Sequence, residues 1–340
     1  MAVIAVVLIA PAPGRGQARP AGTLTLQGAG ATFPAPLYRR WISAYTREHP
    51  EVAIDYRDVG SGEGVKRFIA ASVDFAASDG AMSDEQMSTV TAGVRLVPAT
   101  AGMVVLAYNL PGLGGELKLS RSVYLDIFDG TIAKWNDPKI VAVNPGLMLP
   151  NRSIVIVARQ DSSGTTFALT NHLSTVSAPW RDIGPGVGYL VDWSRRATLA
   201  RGNEGVAARI KISEGAIGYV EYGFARRLGL PMAWLQNRAG RYVAPAPASG
   251  RAALASSVKS MPSNLRLFLP DPDGEESYPL VSFSWLLLYD RYPDPEKSAA
   301  LERFVTWGLS EGQAHARELG YIELPQEVAA LARAAVERIP

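Results

Sequence analysis

The sequence predicts an α/β fold. Short apolar runs alternate with helical patterns of ten or more residues, the arrangement of sheets flanked by helices. At 340 residues the chain is roughly two domains long, at about 150 residues each, with apolar material for more than one core. Hydrophobic residues are 47% and charged residues 19%, which excludes both a highly charged disordered chain and a fibrous repeat.

The first residues stand apart. Ala2 to Ala10 is an unbroken apolar run followed by Pro11, Pro13, Gly14 and Gly16. It is too short for a bilayer, which takes about 20 apolar residues, and has the length of a signal-peptide core, although no Lys or Arg precedes it. The expectation is a signal peptide over residues 1–21. The exported remainder is then soluble and periplasmic, with no lipid-anchor cysteine because the chain has no Cys.

Residues 24–26 read as a strand leading into Gly28, Gly30 and Thr32. Leu37, Trp41 and Tyr45 then recur at every fourth position beside Tyr38 and Ile42, an amphipathic helix with Pro34 and Pro36 at its start. Residues 52–56 form the next strand, followed by a glycine-rich turn at 60–64, a short helix at 65–71 and a strand at 74–78. A second unit opens with a strand at 104–108, a helix near 121–128 and a strand at 154–157. That strand runs into Ser162, Ser163 and Gly164 and a helix carrying Phe167, Leu169 and Leu173. A helix at 206–210 and a strand at 216–220 follow. Residues 238–273, rich in Pro, Ala and Ser, read as loop with one short helix. Residues 285–289 are a buried strand, and the C-terminus is helical around Leu301, Phe304 and Val305, at 310–319 up to Gly320, and at 326–338. No internal repeat is visible. Pro and Gly near 97–102 and 270–279 mark two crossings between lobes. The expected division is residues 22–100 with 278–340 for lobe I, and 101–277 for lobe II.

Charge narrows the chemistry. Against 34 Lys plus Arg stand 32 Asp plus Glu, a net charge of +2, too even for a surface that must neutralise many phosphates of a nucleic acid. Any anion must therefore be met by local geometry. The three histidines, His49, His172 and His315, lie far apart, so neither zinc spacing nor a thiol nucleophile is present, and no metal or cofactor is expected.

Three segments deliver backbone N–H groups at a predicted helix start: GAGATF at 28–33, GSGEG at 60–64 and SSGT at 162–165. Such a start has unsatisfied donors and a partial positive charge, and glycine lets the backbone approach an oxyanion. Each turn taken singly is an ordinary cap. Together, with hydroxyls at Thr32, Ser61, Ser163 and Thr165, they point to an anion site. Arg159, at a strand end four residues before Ser163, offers a planar fork for two oxygens, and Asp161 is placed to hold it. Asp79 follows an apolar strand. An ionised Asp only accepts hydrogen bonds, so it disfavours sulfate and suits an anion that brings its own proton, as phosphate does near pH 7.

The segments GAGATFPAPLY, VGSGEGVK, VDFAASD, RQDSSGTTF and GAIGYVEY, in that order, resemble the periplasmic phosphate-binding proteins of phosphate-specific ABC importers, from about Thr23 to the end. The resemblance implies a two-lobed, hinged type II periplasmic-binding-protein fold, each lobe a mixed sheet flanked by helices, closing on one inorganic phosphate. By motif it places Thr32 and Phe33, through their backbone N–H groups, with Ser61 and Asp79 on the first lobe. Arg159, Ser163, Gly164 and Thr165 fall on the second, with Asp161 orienting Arg159. Two positions depart from the family pattern: Glu63 replaces a small residue, and Ser162 stands where Gly is usual. The expected partner is the membrane permease of a phosphate ABC transporter, and the protein itself is expected to be a monomer.

Two other readings stay open at the level of sequence. One is a hydrolase with Ser163 as nucleophile and Asp79 or His172 as base; His172, nine residues into the helix, is expected instead to cap or face solvent. The other keeps the scaffold but takes sulfate, arsenate, molybdate or a phosphonate.

Overall fold

The structure is a computed structural model that describes residues 22–193, 197–255 and 258–337; the expected signal peptide lies outside them. The chain begins β1 (Leu24–Gly30), α1 (Ala35–Glu48), β2 (Val52–Asp58), α2 (Ser61–Ile69), β3 (Phe75–Ser78), α3 (Asp84–Ser88) and β4 (Arg95–Tyr108). It continues with β5 (Lys118–Leu119), α4 (Arg121–Phe128), α5 (Pro138–Val143), β6 (Val155–Arg159), α6 (Gly164–Val176), α7 (Ala178–Asp182), β7 (Thr198–Ala200), α8 (Gly202–Ile212), β8 (Ala216–Glu221) and α9 (Tyr222–Arg227). The rest is β9 (Trp234–Gln236), β10 (Tyr242–Val243), α10 (Pro247–Ala255), β11 (Val281–Leu288), α11 (Pro295–Gly308), α12 (Gln313–Leu319) and α13 (Gln326–Val336).

The main sheet has the order β2-β1-β3-β11-β4-β8-β6-β7. Its outer portions are parallel, β1 with β2 and β3 on one side and β6 with β7 and β8 on the other. The central β11 and β4 run antiparallel to their neighbours. β4 serves both halves. Up to Met103 it pairs with β11, and from Val104 it pairs with β8. The Val104 N–H donates to the Leu280 carbonyl at 3.0 Å, so the outgoing and returning chains cross side by side. β8 and β11 are buried along their whole length, which explains why they read as unbroken apolar runs rather than alternating ones.

Residues 97–102, where Pro and Gly mark an expected crossing between lobes, are the interior of β4 just before it changes partner. Pro98 is tolerated because the register shifts opposite it, between Ser284 and Trp285, and a bulge spares a ladder position the donor that proline lacks. One expectation changes at α2, which starts at Ser61 rather than Val65. Gly60, at φ +100°, turns the chain into it, so the glycine-rich turn is itself the first turn of the helix. β5, β9 and β10 form a separate small sheet; strands of two or three residues leave no periodic signal to read.

Packing holds the helices as their patterns require. Leu37, Trp41 and Tyr45 of α1 are buried, and the Trp41 indole N–H donates to the Gly312 carbonyl at 2.7 Å. α12 ends at Gly320, which takes the left-handed conformation at φ +95° that glycine adopts without strain.

Close approach of β1 to β3 makes Gly30 irreplaceable. Its φ is +147°, and a Cβ there would stand 2.1 Å from the Ala77 carbonyl oxygen. Gly30→Ala is expected to destabilise the protein by about 2 kcal/mol or more, read as a lowered melting temperature; an unchanged melt would contradict this account.

Candidate oxyanion site

Strand ends from the two halves of the sheet deliver the site. β1 ends at Gly30, and Thr32 and Phe33 form the turn into α1. Gly60 aims Ser61 at the start of α2, and β3 hands the chain to Asp79. From the other half, β6 ends at Arg159 and Ser163 caps α6, its hydroxyl accepting from the Thr166 N–H at 3.1 Å. That leaves the first-turn N–H groups of Gly164 and Thr165 without an intrahelical acceptor.

Thr32, Phe33, Ser61, Asp79, Arg159, Ser163, Gly164 and Thr165 are all buried, and the structure brings them together across the cleft. A Cβ on Gly164 would lie 2.5 Å from Ser61 Oγ and 2.6 Å from Asp79 Cβ, so the two lobes meet there. Further contacts join the lobes: Gly62 N–H donates to the Ser162 carbonyl at 3.1 Å, and the Tyr189 hydroxyl to the Gly80 carbonyl at 2.7 Å. The Phe33 ring packs toward Gly102 and its carbonyl accepts from the Tyr321 hydroxyl at 2.6 Å, which leaves its backbone N–H as the group it can offer the cleft.

Three of the five Arg159 guanidinium N–H groups are engaged within the protein. Its Nε donates to Asp161 Oδ1 at 2.9 Å and its Nη2 to Asp161 Oδ2, while Nη1 reaches Thr165 Oγ1 at 3.3 Å. The Gly202 N–H donates to Asp161 Oδ1 at 2.9 Å. Burial works to raise the Asp161 pKa, but Arg159 and this amide together hold it below the ordinary carboxylate value. The pair is thus neutral as a unit, and attraction for an anion rests on oriented donors rather than surplus charge.

Asp79 is nearly inaccessible, at 1% exposure. Its Oδ1 accepts from the Ser284 hydroxyl at 2.8 Å, and its Oδ2 lies 3.5 Å from Ser61 Oγ. Burial pushes its pKa up to about 7, against the pull of Ser284, Arg159 and Ser61. It is an acceptor poised to share a proton.

The two departures from the family pattern lie harmlessly. Glu63 turns outward to accept from Arg67 Nε at 2.8 Å, and Ser162 fills the space that Gly62 leaves, where a Cβ would fall 1.9 Å from Ser162 Oγ. His172 corrects the sequence expectation: it is buried at 1% exposure, bonded to the Tyr124 hydroxyl at 2.8 Å and to the Pro270 carbonyl. Burial lowers its pKa to about 4. Packing of α6 against α4 and the loop at Pro270 closes over the helix face that had read as solvent-exposed.

Several residues escaped the sequence reading. Ser284 bonds the Asp79 carboxylate, and the Ser282 hydroxyl donates to the Asp79 carbonyl at 3.0 Å. Two serines at period two in a buried apolar strand were the available signal, since a buried hydroxyl needs a partner. The Tyr219 hydroxyl accepts from the Arg159 N–H at 3.0 Å. Asn203, inside a segment that reads as a plain turn, contacts both lobes.

A family model described as a PBP superfamily domain matches residues 12–311. The phosphate-binding protein PstS of Pasteurella multocida (strain Pm70) is 40% identical over 305 residues, 89% of this chain and 87% of that protein. The chain belongs to the PstS family of the PBP superfamily. PstS of Methanocaldococcus jannaschii is 34% identical across 99% of this chain and 93% of its own length. Among solved structures, a phosphate-binding protein from Stenotrophomonas maltophilia superposes with a TM-score of 0.73 at 20% identity, over 91% of this chain and 93% of that one. A periplasmic phosphate-binding protein solved with phosphate also gives 0.73, at 23% identity, over 92% and 93%. The fold of this PstS-family chain is the expected two-lobed type II arrangement.

Asp79 carries a consequence for stability. Its pKa rises from an ordinary 3.8 to about 7 on folding, so the folded state binds the proton more tightly. The associated stabilisation is complete below about pH 4 and is lost as the pH climbs to 7. In phosphate-free buffer, the melting temperature should therefore fall between pH 5 and pH 7.5 more steeply for the native chain than for Asp79→Asn. Equal slopes in calorimetric melts would rule out a protonatable buried Asp79.

Proposed function

We propose that this chain captures inorganic phosphate between its lobes outside the cytoplasm and delivers it to the membrane permease of a phosphate ABC importer, binding it without turnover. One observation carries the proposal: a buried acceptor, Asp79, sits across a closed cleft from a buried guanidinium, Arg159, and from the amide-rich start of α6. In this reading the ligand takes N–H donors from Thr32, Phe33, Gly164 and Thr165, hydroxyls from Ser61, Ser163 and Thr165, and the free edge of Arg159, and gives its own proton to a hydrogen bond with Asp79. Where Asp79 is ionised, above the pKa of about 7 to which burial raises it, sulfate brings no proton and would leave an acceptor facing an acceptor, which a dry site penalises. Micromolar affinity needs about 8 kcal/mol net, within reach of several charge-assisted hydrogen bonds.

Residues 22–100 with 278–340 are proposed as one moving lobe and 101–277 as the other, hinged where β4 and the returning chain cross. Phosphate favours closure because it touches both lobes only when they are shut. The protein is proposed to act as a monomer, exported by its N-terminal segment, as suits a soluble carrier docking on a permease. A hydrolytic role is less well supported, since among the described residues no histidine or carboxylate is hydrogen-bonded to the Ser163 hydroxyl.

Titration calorimetry of the purified chain should give saturable phosphate binding and no measurable sulfate binding. Asp79→Asn should narrow that gap more than it weakens phosphate, and Arg159→Ala should nearly abolish binding. Tight sulfate binding by the native chain, or undiminished affinity in Arg159→Ala, would refute the proposal. Gly164→Ala provides a separate test of closure. Its Cβ must displace Ser61 Oγ and Asp79, so phosphate affinity should drop at least about tenfold while the ligand-free melt stays close to native.

A further inference from the structure

We infer that Asn203 is the positioning residue that turns the Thr165 and Thr32 hydroxyls into obligatory donors and clasps the two lobes in the closed state. The inference deepens the reading of the cleft as a phosphate site and rests on it. Asn203 is the second residue of α8 and is fully buried, at 0% exposure. Its Oδ1 accepts from the Glu221 N–H at 2.9 Å. A backbone N–H only donates, so the orientation of the carboxamide is settled and its NH₂ must face the other way.

There it donates to Thr32 Oγ1 at 3.0 Å and to Thr165 Oγ1 at 3.1 Å. Thr165 Oγ1 also accepts from Arg159 Nη1 at 3.3 Å. With both lone pairs engaged, this hydroxyl can only donate its proton. Thr32 Oγ1 is in the same state, because the Asn203 backbone N–H reaches it at 3.2 Å. A neutral carboxamide thereby sets two hydroxyl protons toward an anion without adding charge.

The same side chain links the lobes. Thr32 belongs to the turn before α1, whereas Asn203 and Thr165 belong to the other half of the sheet. Glu221, the residue that fixes the carboxamide, pairs with Val104, where β4 changes partner. Asn203 therefore connects the crossing point to both walls of the site.

Asn203→Asp separates this role from packing. It keeps the shape and the acceptor for Glu221 N–H, but replaces two donors with an acceptor that draws the hydroxyl protons to itself. Calorimetry and stopped-flow fluorescence with inorganic phosphate should show about a hundredfold loss of affinity for Asn203→Asp and about tenfold for Asn203→Ala. The ratio of Asn203→Asp to native affinity should recover as the pH is lowered and the new carboxyl regains a proton; the Asn203→Ala ratio should stay flat. A merely structural role would lower both melting temperatures without this order or this pH response. Thr32→Val, which leaves α8 untouched, should raise the phosphate dissociation rate several-fold with little change in association.

Binding by Asn203→Asp within twofold of native, a smaller loss than in Asn203→Ala, or an unchanged dissociation rate in Thr32→Val would overturn the inference while native phosphate binding stands. Absence of phosphate binding by the native chain would instead overturn the reading beneath it, and the inference with it.

Discussion

A guanidinium buried at 2% exposure must have its donors answered inside the protein, and the cleft is organised around that demand on Arg159. Leaving a buried charge unpaired costs several kcal/mol, so Asp161 takes two of its N–H groups and Thr165 a third. Asp161 is itself steadied by an amide at the start of α8, and the Arg159 backbone by Tyr219. The cation is thereby fixed in place and electrically balanced before any ligand arrives. An oxyanion entering such a site meets a rigid fork whose orientation has already been set by folding, which reduces the ordering that binding would otherwise require.

The opposite wall solves the complementary problem. Asp79 sits in a place where its charge is poorly solvated, and three hydroxyls, from Ser61, Ser282 and Ser284, surround its carboxylate and its backbone carbonyl. They do not fully offset burial, so the group stays ready to share a proton near neutrality. A strong acceptor in a dry place discriminates between anions by what they can donate rather than by their size or charge. The balanced Arg159–Asp161 pair supports that discrimination, because a site with large surplus positive charge would attract any small anion.

Connection between the walls depends on β4. A strand that pairs first with β11 and then with β8 ties two half-sheets together through one continuous backbone, and the returning chain crosses beside it at Leu280. Under the hinge proposed above, rotation at this place would change the distance between Thr32 and Asn203 and between Gly62 and Ser162. Polar contacts beside the proposed ligand, Asn203 to Thr32 and Gly62 to Ser162, are joined by others away from it, among them Arg266 Nη1 to the Met82 carbonyl at 3.0 Å and Arg226 Nη2 to the Glu318 carbonyl at 2.7 Å.

How much of this could be read from the chain follows from the range of the forces involved. The α/β alternation, the α1 stripe of Leu37, Trp41 and Tyr45, the Gly320 stop and the three helix-start turns are local patterns, imposed by side-chain periodicity and backbone freedom, and they were legible. Likewise Arg159 and Asp161, two residues apart, announce their pairing. Only the tertiary structure decided that Pro98 lies within a bulged strand, that His172 is sealed under the Pro270 loop, and that Ser284 and Asn203 belong to the cleft. Each of those outcomes depends on a partner far away in sequence, Ser284 on Asp79 and Asn203 on Thr32; the serines of β11 signal that a partner is needed, but local sequence does not say which group the folded chain brings to them.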